Sequence, residues 1–168
     1  MIAMTPLAAD LLVLFRRDLR CLIREVELFP DDATLWRTVP GIGNSAGNLA
    51  LHVAGNLRHF VGAVLGDTGY LRQREQEFAR RKGTRAEVVA ILEAVEPDLK
   101  PGLANLTEAA LAEPYPLMVM GHQPPTGRFL LHLATHLAFH LGQAGYLRRA
   151  LTGDLASAGG MGIAELDG

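Results

Sequence analysis

The sequence predicts an all-α chain folded as a four-helix bundle. Three observations predict it: apolar residues recur at three- and four-residue steps in four segments, alternating strand-type patterns are absent, and capping residues stand at segment ends. At 168 residues, with 49% hydrophobic and 20% charged content, the chain can enclose one core, and no internal repeat or second domain is evident.

The first predicted helix runs from about Thr5 to Leu28, carries an apolar stripe from Leu7 to Val26 with arginines between, and stops before Pro30. Asn44 or Ser45 can cap the second, which continues to Gly66 as its closing residue. Thr84 and Glu87 have the capping-box spacing for the third, whose stripe from Val88 to Leu106 passes through Pro97 and predicts one kinked helix rather than two. The fourth runs from Thr126 to about Leu151 and ends at Gly153. The connections span roughly 14–19 residues, long for a bundle, and are expected to cover one end as a functional rim. Trp36 and Tyr70 are expected to pack over a bundle end, and "RQREQEFARRK" reads as a solvated loop or helix start. The predicted domain spans residues 1–153, and 154–168 read as a flexible or loosely docked tail.

A net charge of -2 supplies no cationic field, so neither nucleic acid nor an anionic membrane is an expected partner. The apolar N-terminal stretch has no basic residue before it and is interrupted by Asp10, unlike a signal peptide, and no apolar run approaches the ~20 residues of a membrane span. Cys21 is the single cysteine; with no internal disulfide available, the expected setting is the cytoplasm and the expected role a buried small hydrophobe. A positive mean hydropathy of +0.15 points to an apolar surface patch and a homodimer.

Five of the six histidines fall on the second and fourth predicted helices. At about 100° per residue, Asn48, His52, Asn56 and His59 share one sector beside the buried stripe, and His132, His136, His140 and Gln143 do the same on the fourth helix. Two imidazoles four residues apart, with a third from a facing helix, can hold a metal ion through an open site. Edge-of-core histidines satisfied by hydrogen bonds fit the same spacing, and the pattern alone leaves both readings open.

The stretches "LHVAGNLRHF" and "HLAFHLGQ", within a likeness that extends to about residue 151, resemble the DinB-like superfamily of DinB/YfiT-type metalloenzymes. The resemblance implies a four-helix bundle, commonly dimeric, that holds a divalent metal with three histidines. By position these are His52, then His136 and His140 ahead of Gly142 and Gln143. Gln143, His132, Asn48 and Asn56 are expected around the triad rather than in it. Many members have Arg-Gly-Gln after the last histidine, where this chain has Leu141.

Three neutral imidazoles leave a divalent ion its full charge and favour an anionic fourth ligand; nitrogen ligation suits a transition metal, zinc or nickel foremost, over magnesium or calcium. Neither ligand-bearing helix contains Asp or Glu, so the carboxylate base of a hydrolase would have to come from elsewhere, for example Asp10, Asp18 or Glu93. Metal–thiolate chemistry has no such need. The resemblance agrees, since characterised DinB-like proteins include S-transferases using bacillithiol or mycothiol. The leading expectation is therefore a metal- and thiol-dependent S-transferase joining a small thiol to an electrophile, with Arg58 or Arg128 as a candidate for a carboxylate of either. For both arginines a solvated surface role is the plainer reading. A non-enzymatic stress-associated bundle with a structural metal is the alternative, and a metal hydrolase comes third.

Overall fold

The structure is a computed structural model and describes residues 4–166; the first three residues of the predicted domain and the last two of the predicted tail lie outside the described residues. The chain is all-α, and among the described residues only two isolated bridges, Pro114 with Pro125 and Val119 with His122, depart from helix and loop. No described helix is long and apolar enough to cross a membrane.

Helix α1 (Pro6–Glu27) starts where Thr5 accepts from the Ala8 amide and Pro6 presets the first turn. Its stripe of Ala8, Leu11, Phe15, Leu22 and Val26 is buried. The first connection contains a short turn, α2 (Asp32–Leu35), capped by Asp31. Ser45 caps α3 (Ala46–Leu57) in a capping box that Asn48 completes. The rod then continues through a π-turn at Arg58–Ala63 into α4 (Val64–Gly66). The left-handed residue that ends it is Asp67, at φ 50°, and not Gly66. Gly66 has a different task, because a Cβ there would lie 2.7 Å from the backbone nitrogen of Gly102.

The second and third connections also hold short helices, α5 (Arg74–Ala79) and α8 (Glu108–Ala112). The third predicted helix is two segments, α6 (Arg85–Glu93), with its Thr84–Glu87 capping box, and α7 (Glu96–Ala104). Pro97 has no amide hydrogen to give the Glu93 carbonyl, so the expected kink becomes a break at Ala94 and Val95. Helix α9 (Thr126–Thr152) ends at Gly153 in the left-handed conformation, as its sequence predicts.

α1 packs on α9, α6 and α7; α3 packs on α9, α5 and α6; the π-turn and α4 lie against α7. One buried cluster joins them, with Phe15, Leu57, Leu92, Leu99 and Leu130 at its centre. The α4–α7 crossing is set by small residues, since a Cβ on Gly102 would fall 2.1 Å from the Val61 carbonyl oxygen. Trp36 donates to the Gly83 carbonyl at 2.8 Å and its ring covers Gly47 at the start of α3. Tyr70 lies under the Arg58 guanidinium, 4.2 Å from it.

Residues 154–166 return along α1. Arg24 donates to the Ala158 carbonyl at 2.8 Å, Arg20 and Arg24 both pair with Glu165, and Arg148, wholly buried, binds Glu25 at 2.7 Å and the Ala156 carbonyl. Cys21 lies beneath this segment, and burial pushes its thiol above the usual range, away from nucleophilic chemistry.

The crossing yields a paired prediction. Gly102→Ala is expected to lower stability by about 1–3 kcal/mol through overpacking against Val61. Gly142→Ala, with nothing within 4 Å of its Cβ, is expected to gain about 0.5–1 kcal/mol from helix propensity. Urea unfolding of the two variants checks both.

Candidate metal centre

α3 and α9 run antiparallel, with Phe60 against Phe129 at one level and His52 against His136 and His140 at the next. The i, i+4 spacing of His136 and His140 aims both rings at one side of α9, where His52 meets them. The Nε2 atoms of His52 and His136 are 3.3 Å apart and those of His136 and His140 are 3.1 Å apart, and the three ligand atoms all lie within 4.8 Å of one another. A tetrahedral ion with bonds of 2.0–2.1 Å holds its nitrogens about 3.3 Å apart, so the donor set fits one transition-metal ion.

The outer nitrogens hold the rings in the right tautomer. His140 Nδ1 lies 2.7 Å from Gln143 Oε1, and His52 Nδ1 lies 3.1 Å from Glu77 Oε2. Because both partners accept, each Nδ1 carries the hydrogen and each Nε2 turns its lone pair inward. His136 is pushed down to about 4 by burial and by its histidine and Arg72 neighbours, and burial lowers His140 also. Both imidazoles are therefore neutral near pH 7, the protonation state in which they can ligate.

Glu77 comes from the stretch that its sequence marks as solvated, yet it is buried. Two features bring it in. Asn48 donates to the backbone carbonyls of Glu77 at 2.9 Å and Arg80 at 2.8 Å, which fixes α5 against α3. Gly55 leaves the notch, because a Cβ there would lie 2.1 Å from Glu77 Oε1. Arg72 grips the carboxylate with two hydrogen bonds of 2.8 Å; its Nη2 also lies 3.2 Å from His52 Nδ1, a close approach and not a hydrogen bond while that nitrogen donates to Glu77. Burial opposes ionisation of Glu77, but the Arg72 fork and His52 outweigh it and hold the carboxyl below its usual range.

None of the three carboxylates suggested by the sequence takes this place. Asp10 and Glu93 are exposed, and Asp18 is buried against Arg17 at 2.7 Å. The structure places the remaining candidates around the triad or away from it. His132 is exposed and stacks on Phe129, its ring 5.9 Å from that of His136. Asn56, one turn beyond His52 on α3, is buried, and its Oδ1 has no hydrogen-bond partner among the described residues. His59 packs on Phe60. Arg58 is committed to Asp98 at 2.8 Å, and Arg128 is exposed near the start of α9. Arg72 and Glu77 lie in the run "RQREQEFARRK", read as solvated although the resemblance includes "YLRQREQEF" and its place near the rim leaves a substrate role open; Gly55, interrupting a buried face, is the local sign of what must fit there.

A family model described as the DinB superfamily matches residues 12–144, a span that contains every residue of the triad. The chain belongs to the DinB superfamily. No curated protein and no solved structure matches it. The DinB assignment and the converging imidazoles agree, as three histidines positioned to hold a metal ion.

Two expectations follow for this DinB-superfamily chain. Competition titration with a chromogenic chelator should show zinc binding weakened about 10–100-fold by Glu77→Gln and further by His52→Ala or His140→Ala. The second concerns the metal-free protein as pH falls. His136 titrates near 4 when folded and near 6.5 when unfolded, so the unfolded chain binds more protons between those values. Urea midpoints should therefore fall as pH is lowered from 6.5 toward 4, with His140 adding in the same direction.

Proposed function

We propose that this DinB-superfamily protein is a metal-dependent transferase that joins a low-molecular-weight thiol to an electrophile, in detoxification or stress protection. The observation that carries the reading is the charge balance around three converging imidazoles: Glu77, the buried carboxylate at the site, is neutralised by Arg72 and turned to the outer nitrogen of His52. His52, His136 and His140 would hold zinc or nickel, and such an ion lowers the pKa of a bound thiol. The chain's own residues do the rest. Glu77 and Gln143 orient two imidazoles, and Arg72 keeps Glu77 ionised without leaving it free as a base. A metal hydrolase usually draws on a carboxylate base beside the metal-bound water, and the commitment of Glu77 to Arg72 and His52 argues against that role.

A cavity of about 380 Å³ beside Arg72 supports an anionic thiol. Arg74 and His59 also line it, together with Met118 and Met120, and Arg74 has no carboxylate partner among the described residues. A thiol bearing a carboxylate would meet one uncommitted cation there, Arg74, better placed than Arg72 and Arg58, whose guanidinium groups Glu77 and Asp98 occupy.

The wider assignments belong to the same proposal. The long segments α1, α3–α4, α6–α7 and α9 are read as a four-helix bundle of the DinB/YfiT-like type. Leu131, Phe139 and Tyr146, exposed along one side of α9, support a homodimer. The buried, unpaired Cys21 supports a reducing cytoplasm.

Zinc- or nickel-loaded protein, given bacillithiol or mycothiol with chlorodinitrobenzene, tests the reaction by mass spectrometry of the adduct. The expected outcome is adduct formation above the uncatalysed rate, with a carbon–sulfur bond made, chloride released and the thiol proton passed to buffer. It should be abolished by a chelator and by His140→Ala. Metal-loaded protein that forms no adduct above background across a panel of electrophiles would instead assign the centre a structural role.

A further inference from the structure

A second cavity, of about 440 Å³, lies along the last turns of α9 and shares Gln143 with the surroundings of the triad. Val39, Ile42, Leu49, Leu147 and Ala150 give it apolar walls, and no Asp, Glu, Lys or Arg lines it. Its polar side chains are those of Asn44, Gln143 and Tyr146. Gln143 is shared with the metal centre: its Oε1 is taken by His140 Nδ1 at 2.7 Å, and its amide nitrogen makes no hydrogen bond within the described residues. Fixing the histidine tautomer thus forces the glutamine to turn two unused N–H groups the other way.

The geometry points to this cavity as a binding site for an uncharged, mainly apolar small molecule carrying an oxygen acceptor, with the Gln143 amide donating to that oxygen. Charge decides the class. A carboxylate or ammonium would lose its hydration without meeting an opposite charge on these walls, whereas apolar surface gains by burial there. The volume lies within the range of sites for drug-sized ligands. The two cavities then divide the ligands by charge: an anion beside Arg74, a neutral molecule beside Gln143. Naming the neutral molecule as the electrophile rests on the thiol-transfer reading, while the preference for uncharged ligands does not.

The test uses prodan, an uncharged naphthalene ketone whose emission moves to the red when its carbonyl accepts a hydrogen bond. Wild-type protein should bind it saturably and bind anionic anilinonaphthalene sulfonate roughly tenfold more weakly. Ala150→Phe, a filling change at an exposed position, should weaken prodan about tenfold while leaving zinc affinity unchanged. Gln143→Met should keep the probe bound and shift its emission to the blue, because the donor is gone. Equal prodan binding in Ala150→Phe, equal affinity for the sulfonate, or an unshifted emission in Gln143→Met would each overturn the assignment. Zinc titration of the same samples reads the triad separately, so failure of the metal centre is distinguishable from failure of the cavity.

Discussion

The constraint on which the rest depends is that α3 has no solvent face. Every residue from Ala46 to Leu57 is buried, including Asn48, His52 and Asn56. Polar groups in that position must find partners inside the protein or cost free energy. The surroundings of α3 answer this demand residue by residue. Asn48 holds the backbone of α5, His52 meets Glu77 on one side and two histidines on the other, and only Asn56 retains an unpartnered oxygen. The convergence of three histidines is thus the outcome of placing one of them where nothing but other protein groups can serve it.

The same demand explains why a loop segment becomes part of the core. α5 is only six residues long and has no side-chain cap of its own, so its helical form depends on what it docks against. Docking brings a full negative charge indoors, which is tolerable because Arg72 arrives from the same segment, five residues away, and forks onto it. The fork leaves little net charge, while each member still touches the triad: Glu77 takes the outer nitrogen of His52, and Arg72 helps to depress His136. Three imidazoles alone would serve many reactions, so the commitment of this carboxylate is the feature that distinguishes the site from one with a free base.

Helix boundaries were legible where a local rule decides them: Ser45, one of two candidate caps, Thr84 in its capping box, and Gly153 as terminator act within a few residues of themselves. The break before Pro97 was located, but its depth was not, because a lost hydrogen bond to Glu93 is visible in sequence while the relaxation around it is not. Gly66 was misjudged as a cap for a similar reason, its need arising from Gly102 on a distant segment. The triad became definite through the family resemblance, the helical periodicity alone allowing a polar seam as well. Glu77 was hidden in a charge-rich run that looks solvated, and only the absence of a side chain at Gly55 betrays that something must fit there.

The π-turn at Arg58–Ala63 has a further consequence. On an unbroken α-helix, residues 52 and 66 would lie about 40° apart around the axis, nearly on one face. A single-residue excess of the π kind rotates the downstream half by about 100° relative to the upstream half. The rod therefore works as a two-phase shaft, its first half indexed to the histidines of α9 and its second to the glycine crossing with α7. Histidine alignment and helix anchorage are thus set by separate indices along one continuous rod.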